Sequence, residues 1–163
     1  MRTTPAIYVA AILAIAACSK TTRPDTAVPS PSPAPSASTA APPDIQWGPA
    51  PSVLPPGAQI AVIEGNPGST GTFTLRLKLP NGYKIPPHTH PTIENITVLA
   101  GTFLAGMGTQ FDESKLEAYG RDAFFSLPAE HAHFAVARGE TVVQVHGLGP
   151  FVVTYVNPPN ATR

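Results

Sequence analysis

Short segments in which apolar and polar residues alternate occupy most of the chain after residue 44. In the stretch TFTLRLKL the apolar side chains share one face of an extended strand: Phe73, Leu75, Leu77 and Leu79. This period of two predicts a half-buried β-strand. The same criterion predicts strands at 58–64, 72–79, 83–90, 95–100, 102–107, 123–127, 133–138, 141–146 and 151–156.

Turn-forming residues separate these segments. Asn81-Gly82 and Arg138-Gly139-Glu140 predict tight hairpin turns. One segment, 112–119, has the pattern of a helix, with Asp112 as its cap and Gly120 as its stop.

The regular spacing of short strands favours an all-β sandwich or barrel formed by one domain, residues 44–163. Of the 163 residues, 42% are hydrophobic and 12% are charged, which is compatible with a packed core. Ten basic residues balance ten acidic ones, so the chain has no excess of positive charge for neutralising phosphates. A nucleic-acid partner is therefore not expected.

Residues 1–43 differ in composition from the rest of the chain. An apolar run at 6–17 follows Arg2 and contains twelve residues, too few for a bilayer span of about 20. It has the length of the hydrophobic part of a secretory signal, so residues 1–17 are predicted to be a signal peptide. Residues 18–43 are rich in Pro, Ser, Ala and Thr and poor in large apolar residues, which predicts a disordered tether.

Cys18 is the single cysteine of the chain, so no internal disulfide can form. The sequence Ile15-Ala16-Ala17-Cys18 resembles the bacterial lipobox. The resemblance implies that Cys18 is lipidated and becomes the first residue of an exported, periplasmic lipoprotein anchored to a membrane of the cell envelope. The alternative is an ordinary secretory signal in which Cys18 is incidental.

Three side chains able to bind a divalent metal fall within seven residues: His88, His90 and Glu94. Residues i and i+2 of a strand project from the same face, with Cα atoms roughly 6.5 to 7 Å apart, so the two imidazoles can bind one ion. Glu94 lies just beyond the strand and can fold back to add an oxygen. This mixed set predicts one divalent transition metal, iron, manganese, nickel, copper or zinc, rather than calcium or magnesium.

The spacing of these residues resembles the first motif of the cupin family, in which Gly, His-x-His, Glu and Gly follow at set intervals. Every position of that motif is filled: Gly82, His88, His90, Glu94 and Gly101. The resemblance, which is to small exported single-domain cupins of the type-2 kind, implies a double-stranded β-helix, or jelly roll. A homodimer is an assembly that many cupins adopt, and the resemblance implies it here as well.

The second cupin motif, Pro-x-Gly-x-x-His, implies a fourth metal ligand. The matching string begins at Pro128 and places His133 in the ligand position. Glu130 stands where glycine is usual, and a residue other than glycine at positive φ costs about 1 kcal/mol or more, so a differently shaped turn is expected. His131 shares the parity of His133, and a slipped register would present His131 instead.

The four predicted ligands leave one or two positions open on a six-coordinate ion, where a small organic substrate can bind. The resemblance implies a metal-dependent enzyme: a dioxygenase or oxidase with a redox-active ion, or an isomerase or hydrolase with a Lewis acid. Glu94 is the candidate catalytic residue, since it can also accept a proton.

Two alternatives to an enzyme stay open, a non-catalytic cupin that binds or senses a small molecule and a degenerate cupin without metal. His146 fits either a hydrogen-bonded place in a strand or a role in a pocket.

Overall fold

The computed structural model describes residues 44–158, within which nine antiparallel strands form one curled sheet. The predicted signal peptide and tether lie outside the described residues. The strands are β1 (Gly48–Pro49), β2 (Gln59–Gly65), β3 (Gly71–Leu79), β4 (Lys84–Thr89), β5 (Glu94–Met107), β6 (Glu117–Gly120), β7 (Phe124–Leu127), β8 (His133–Gly149) and β9 (Thr154–Tyr155).

Strand β8 connects the sheet because both of its edges are paired. One edge pairs with β4 and then with β3, and the other pairs with β5 along most of its length. The far edge of β5 pairs with β7 and then with β6. This curled antiparallel sheet is the jelly roll that the sequence predicted.

The core lies on the inner face of the curled sheet. Phe73, Leu75 and Leu79 of β3 are buried, as the alternation in TFTLRLKL predicted, and Leu77 is partly buried. Leu75 lies opposite Val145 of β8, which is also buried. Complete burial of a side chain of this size stabilises a fold by roughly 1.5–3 kcal/mol. Because the apolar side chains of an alternating strand share one face, that face turns toward the core.

The hairpin predicted at Arg138-Gly139-Glu140 is absent from the described sheet, because β8 runs through these residues without reversing. Ala100 of β5 lies opposite Val142, and Thr102 lies opposite Arg138, so Gly101 faces an extra loop of β8 backbone. Gly101 and Gly139 both have positive φ, 72° and 73°. Two pairs of predicted short strands are therefore two long strands, each bent at a glycine.

The turn at Asn81-Gly82 is present, but it does not close a hairpin. The flanking strands β3 and β4 both pair with β8. Asn81 Oδ1 accepts a hydrogen bond from the Gly139 N–H at 2.7 Å, and the Gly82 N–H donates to the Ala137 carbonyl at 2.8 Å. The turn is therefore bound to β8 where that strand bends.

The predicted helix at 112–119 is wrong. Asp112 does cap a short 3-10 helix, Glu113–Lys115, through its side chain and the Ser114 N–H, but the chain then enters β6. Isolated helices of this length are marginal, whereas β6 gains a backbone ladder with β5. Among residues 44–158, no helix is long and apolar enough to cross a bilayer.

Candidate metal centre

Strand pairing brings the predicted metal ligands together from three strands. His88 lies on β4 and His90 directly follows that strand, while Glu94 begins β5 and His133 begins β8. His88 and His133 are cross-strand partners, and their ring centroids are 4.3 Å apart. All four side chains are buried, with between 2% and 8% of each residue exposed.

The three imidazoles are oriented by backbone carbonyl groups. His88 Nδ1 lies 2.7 Å from the Pro86 oxygen, His90 Nδ1 lies 2.8 Å from that of Val152, and His133 Nδ1 lies 2.9 Å from that of His131. Because a carbonyl oxygen only accepts, each Nδ1 must carry the hydrogen. Each neutral ring therefore holds its lone pair on Nε2 and can bind a metal through that atom.

The Nε2 atoms of two histidines lie close to the carboxylate of Glu94. Glu94 Oε2 lies 3.5 Å from His90 Nε2 and 3.3 Å from His133 Nε2. One potential ligand atom from each of the four residues lies within 4.8 Å of the others. Metal–nitrogen bonds of about 2.1 Å place ligand atoms roughly 3 to 4.2 Å apart, so a divalent ion fits after small movements.

Within the described residues, the Nε2 atoms of His90 and His133 are buried and have no hydrogen-bond partner. Burial of an unpaired polar atom costs free energy, and a bound cation would remove this cost by accepting both lone pairs. These unpaired nitrogens favour a bound metal, and this observation is independent of the sequence motif.

Burial favours the neutral form of His88 and His90, and the neighbouring histidines keep the Glu94 carboxylate ionised. Burial, followed by the nearby charge of His133, lowers the pKa of His88 to about 4. Burial also lowers the pKa of His90. Burial alone would raise the pKa of Glu94, but the close contact with His133 and the charge of His90 together hold that pKa below its usual value. These are the protonation states that metal binding needs.

The cluster lies at one end of a cavity of about 440 Å³, into which His88, His90 and Glu94 face. The predicted strand at 151–156 is reduced to Thr154–Tyr155, and residues 151–153 line this cavity instead. Phe151 stacks on the His90 ring at a centroid distance of 4.0 Å. A small molecule in the cavity can thus reach the cluster.

The two remaining histidines lie outside the cluster. His131 is exposed, and its Nδ1 bonds to the Ala129 carbonyl at 2.9 Å. His146 is on the opposite face of β8 from the buried Val145 and stacks with Phe124 at a centroid distance of 6.2 Å.

The turn before His133 keeps the backbone conformation that glycine usually provides. Glu130 has a φ of 60°, and its N–H donates to the His90 carbonyl at 2.8 Å. The expectation of a differently shaped turn is therefore wrong at this residue. The hydrogen bond to the backbone of another ligand offsets the strain of a non-glycine residue at positive φ.

Sequence reasoning missed three residues around the histidines. Phe151 and Val152 contact His90, through the ring and through the backbone carbonyl, but no spacing rule links residues so far apart in the chain. The ring centroid of Tyr155 is 6.0 Å from that of His88, and among described residues its buried hydroxyl has no hydrogen-bond partner. Burial raises the pKa of Tyr155.

No protein-family model and no curated protein matches the chain. Among solved structures, a provisionally assigned acetylacetone dioxygenase from Methylibium petroleiphilum PM1 has 16% identity and a TM-score of 0.56, over 73% of this chain and 80% of its own. The polyketide cyclase RemF from Streptomyces resistomycificus has 18% identity and a TM-score of 0.53, over 63% and 73%. An RmlC-like cupin from Shewanella frigidimarina has 14% identity and a TM-score of 0.48, over 56% and 76%.

The chain therefore shares its jelly-roll fold with RemF and with the dioxygenase structure, which is the fold that the resemblance to cupins implied. At these identities the likeness establishes the fold. The arrangement of His88, His90, Glu94 and His133 is a group that could hold a metal ion, and metal binding itself stays a prediction.

Proposed function

We propose that the protein is a metal-dependent enzyme, of the dioxygenase or oxidase kind, that acts on a small chelating organic substrate. The observation that carries this proposal is that one potential ligand atom from each of His88, His90, Glu94 and His133 lies within 4.8 Å of the others. The Nδ1 hydrogen bonds of the three histidines leave the Nε2 lone pairs available for a metal. Two solved structures of the same fold, described as a polyketide cyclase and provisionally as a dioxygenase, are consistent with an enzyme.

The metal, when bound, would supply Lewis acidity and, if redox-active, electron transfer. His88, His90, Glu94 and His133 would hold it, and the apolar cavity would orient the substrate and exclude water. The lowered pKa of Glu94 keeps its carboxylate ionised at neutral pH, which favours metal ligation. The same shift makes the carboxylate a weaker base, so acceptance of a proton from the substrate is its secondary role.

Metal content of the purified full-length chain tests the proposal. We expect close to one equivalent of a transition metal after purification without chelators, and loss of both metal and turnover in His88→Ala. His131→Ala is the matched control, because His131 is exposed and outside the cluster. Less than a tenth of an equivalent in the unmodified protein would refute the proposal and favour the metal-free alternative.

A non-catalytic cupin that binds or senses a small molecule is the second candidate. One observation favours it: apart from His88, His90 and Glu94, none of the described residues that line the cavity beside the cluster has an acidic or basic side chain. Binding of metal and ligand without formation of any product would support this candidate.

We also propose that the protein is exported and anchored to a membrane of the cell envelope through lipidated Cys18. The sequence before Cys18 supports this proposal. Mass spectrometry of the mature amino terminus should detect a diacylglyceryl group on Cys18, and Cys18→Ala should remain unlipidated. An unmodified terminus in the native protein would contradict the anchor.

A further inference from the structure

We infer that the ligand of the cavity has a hydrocarbon body and carries its charge on the metal-chelating oxygens alone. This inference rests on the proposed function, since it assumes a metal at the cluster. It narrows the substrate class from chelating organic molecules in general to apolar ones without a second charged group.

The walls of the cavity are almost entirely apolar. Aliphatic and aromatic side chains from separate parts of the sheet surround the space above the cluster: Leu54, Ile60, Leu75, Leu77, Val145 and Phe151. Cavities of roughly 300 to 1,000 Å³ accept small organic ligands, and about 440 Å³ is at the lower end of this range. A molecule that fills the space would therefore contact carbon on nearly every side.

None of the described residues that line the cavity is a lysine or an arginine. Basic side chains nearby are engaged elsewhere: Arg76 donates to Gln144, Lys78 lies over the Trp47 ring, and Lys84 pairs with Glu113. A carboxylate or phosphate on the body of the ligand would be buried without a counter-charge. Burial of an unpaired charge is strongly unfavourable.

The net charge of the metal-loaded cluster matches one anionic group on the ligand. Three neutral imidazoles and the Glu94 carboxylate beside a divalent cation leave a net charge of +1. A chelating head that ionises once, such as an enol or an acidic hydroxy-ketone, matches this charge. A second ionised group would exceed it, because the lining residues within 44–158 offer no other cation.

The mouth of the cavity is apolar as well. Val53 and Val152 both line the cavity and are 43% and 50% exposed. Their position gives a direct way to alter the charge at the entrance without disturbing the buried core. Val62, which is 52% exposed and is not among the lining residues, provides a matched control.

A pair of ligands with the same chelating head tests the inference. The first is 4-isopropyltropolone, and the second carries a carboxylate in place of the isopropyl group, so the two have almost the same size. Their affinities for the Zn²⁺-loaded full-length protein would be measured by isothermal titration calorimetry, after zinc alone has been shown to bind. We expect the isopropyl compound to bind at least tenfold more tightly.

Variants at the mouth test the reason for this preference. Val53→Lys and, independently, Val152→Lys should each reduce the affinity ratio at least threefold, because a cation at the entrance compensates the added carboxylate. Val62→Lys should leave the ratio unchanged. An equal effect of Val62→Lys would show that general charge, and not the cavity, causes the change and would overturn the inference.

Other outcomes separate this inference from the proposed function. Equal or tighter binding of the carboxylated compound, or failure of both compounds to bind the zinc-loaded protein, would overturn the inference and leave metal binding intact. Failure of zinc itself to bind would overturn the metal site and, with it, the inference. Binding of the isopropyl compound without any turnover of related molecules would uphold the inference and refute catalysis alone.

Discussion

At the scale of single residues, burial distinguishes the candidate ligands from the other histidines. His88, His131 and His133 all direct Nδ1 to the carbonyl oxygen two residues earlier in the chain. His131 nevertheless is exposed, whereas His88 and His133 are buried and face Glu94 and each other. The local hydrogen bond fixes the tautomer, but the surrounding sheet decides whether the free nitrogen belongs to the candidate cluster.

The lowered pKa of His88 predicts how the metal-free protein responds to acid. A histidine in the unfolded chain binds a proton near pH 6.5, whereas His88 in the folded protein does so at about 4. Between these values the unfolded state binds more protons, so the free energy of unfolding falls as the pH falls. We expect a loss on the order of 3 kcal/mol from this residue, measured by urea unfolding at several pH values.

His88→Asn is the control for this prediction, because asparagine does not titrate. Groups away from the cluster contribute equally to both proteins, so the difference between the two pH profiles reports His88 together with its coupling to the neighbouring cluster residues. This difference should be constant above pH 6.5 and should change between pH 6.5 and 4. Parallel profiles throughout would show that the folded and unfolded states protonate His88 alike.

At the scale of the elements, the bends of β5 and β8 depend on glycine. A Cβ atom at Gly101 would lie 2.4 Å from the Glu140 carbonyl oxygen, and the φ of 72° disfavours any L side chain. We expect Gly101→Ala to lower the free energy of unfolding by about 2–5 kcal/mol, from backbone strain and overpacking together. Urea unfolding would measure this loss.

Gly82→Ala separates strain from crowding. Gly82 has a φ of 77°, but among the described residues no heavy atom outside its immediate neighbours lies within 4 Å of its added Cβ. The substitution should therefore cost only the strain, about 1–2 kcal/mol. Equal losses in the two variants would mean that β8 moves aside at Gly101 without cost.

The elements also show where sequence patterns stop being sufficient. Alternation located every long strand, because one face of each is buried. It split β5 at Gly101 and β8 at Gly139, since a glycine in a local pattern looks the same in a turn and in a bend. The cap at Asp112 and the stop at Gly120 predicted a helix at 112–119, part of which is β6, because the free edge of β5 that accepts β6 belongs to a distant part of the chain.

At the scale of the whole molecule, a metal at the cluster would tie together β4, β5 and β8, which all contribute ligands. A ligand that binds the folded state alone stabilises it, by about 2.7 kcal/mol at a free concentration of 100 times Kd. For a domain of this size we expect Zn²⁺ to raise Tm by about 10 °C, measured by calorimetry on the full-length chain.

Two histidine variants, one inside the cluster and one outside it, control for this increase in Tm. His133→Ala should lose most of the shift in Tm, since it removes one buried ligand, whereas His131→Ala should keep it. A shift of the same size in both variants would place the stabilising metal somewhere other than the cluster.

The amino-acid sequence by itself determined the two-residue period of the strands, and hence the all-β fold, and the spacing that indicated His88, His90 and Glu94 as ligands; its resemblance to the second cupin motif added His133. These properties are local, or repeat at fixed intervals, so they can be recognised in one dimension. The tertiary structure alone decided that β4 and β8 pair in the register that sets His88 beside His133, and that Val152 orients His90. It also enclosed the cluster in an apolar cavity, because cavity walls are formed by residues from distant segments whose contacts depend on how the whole sheet curls.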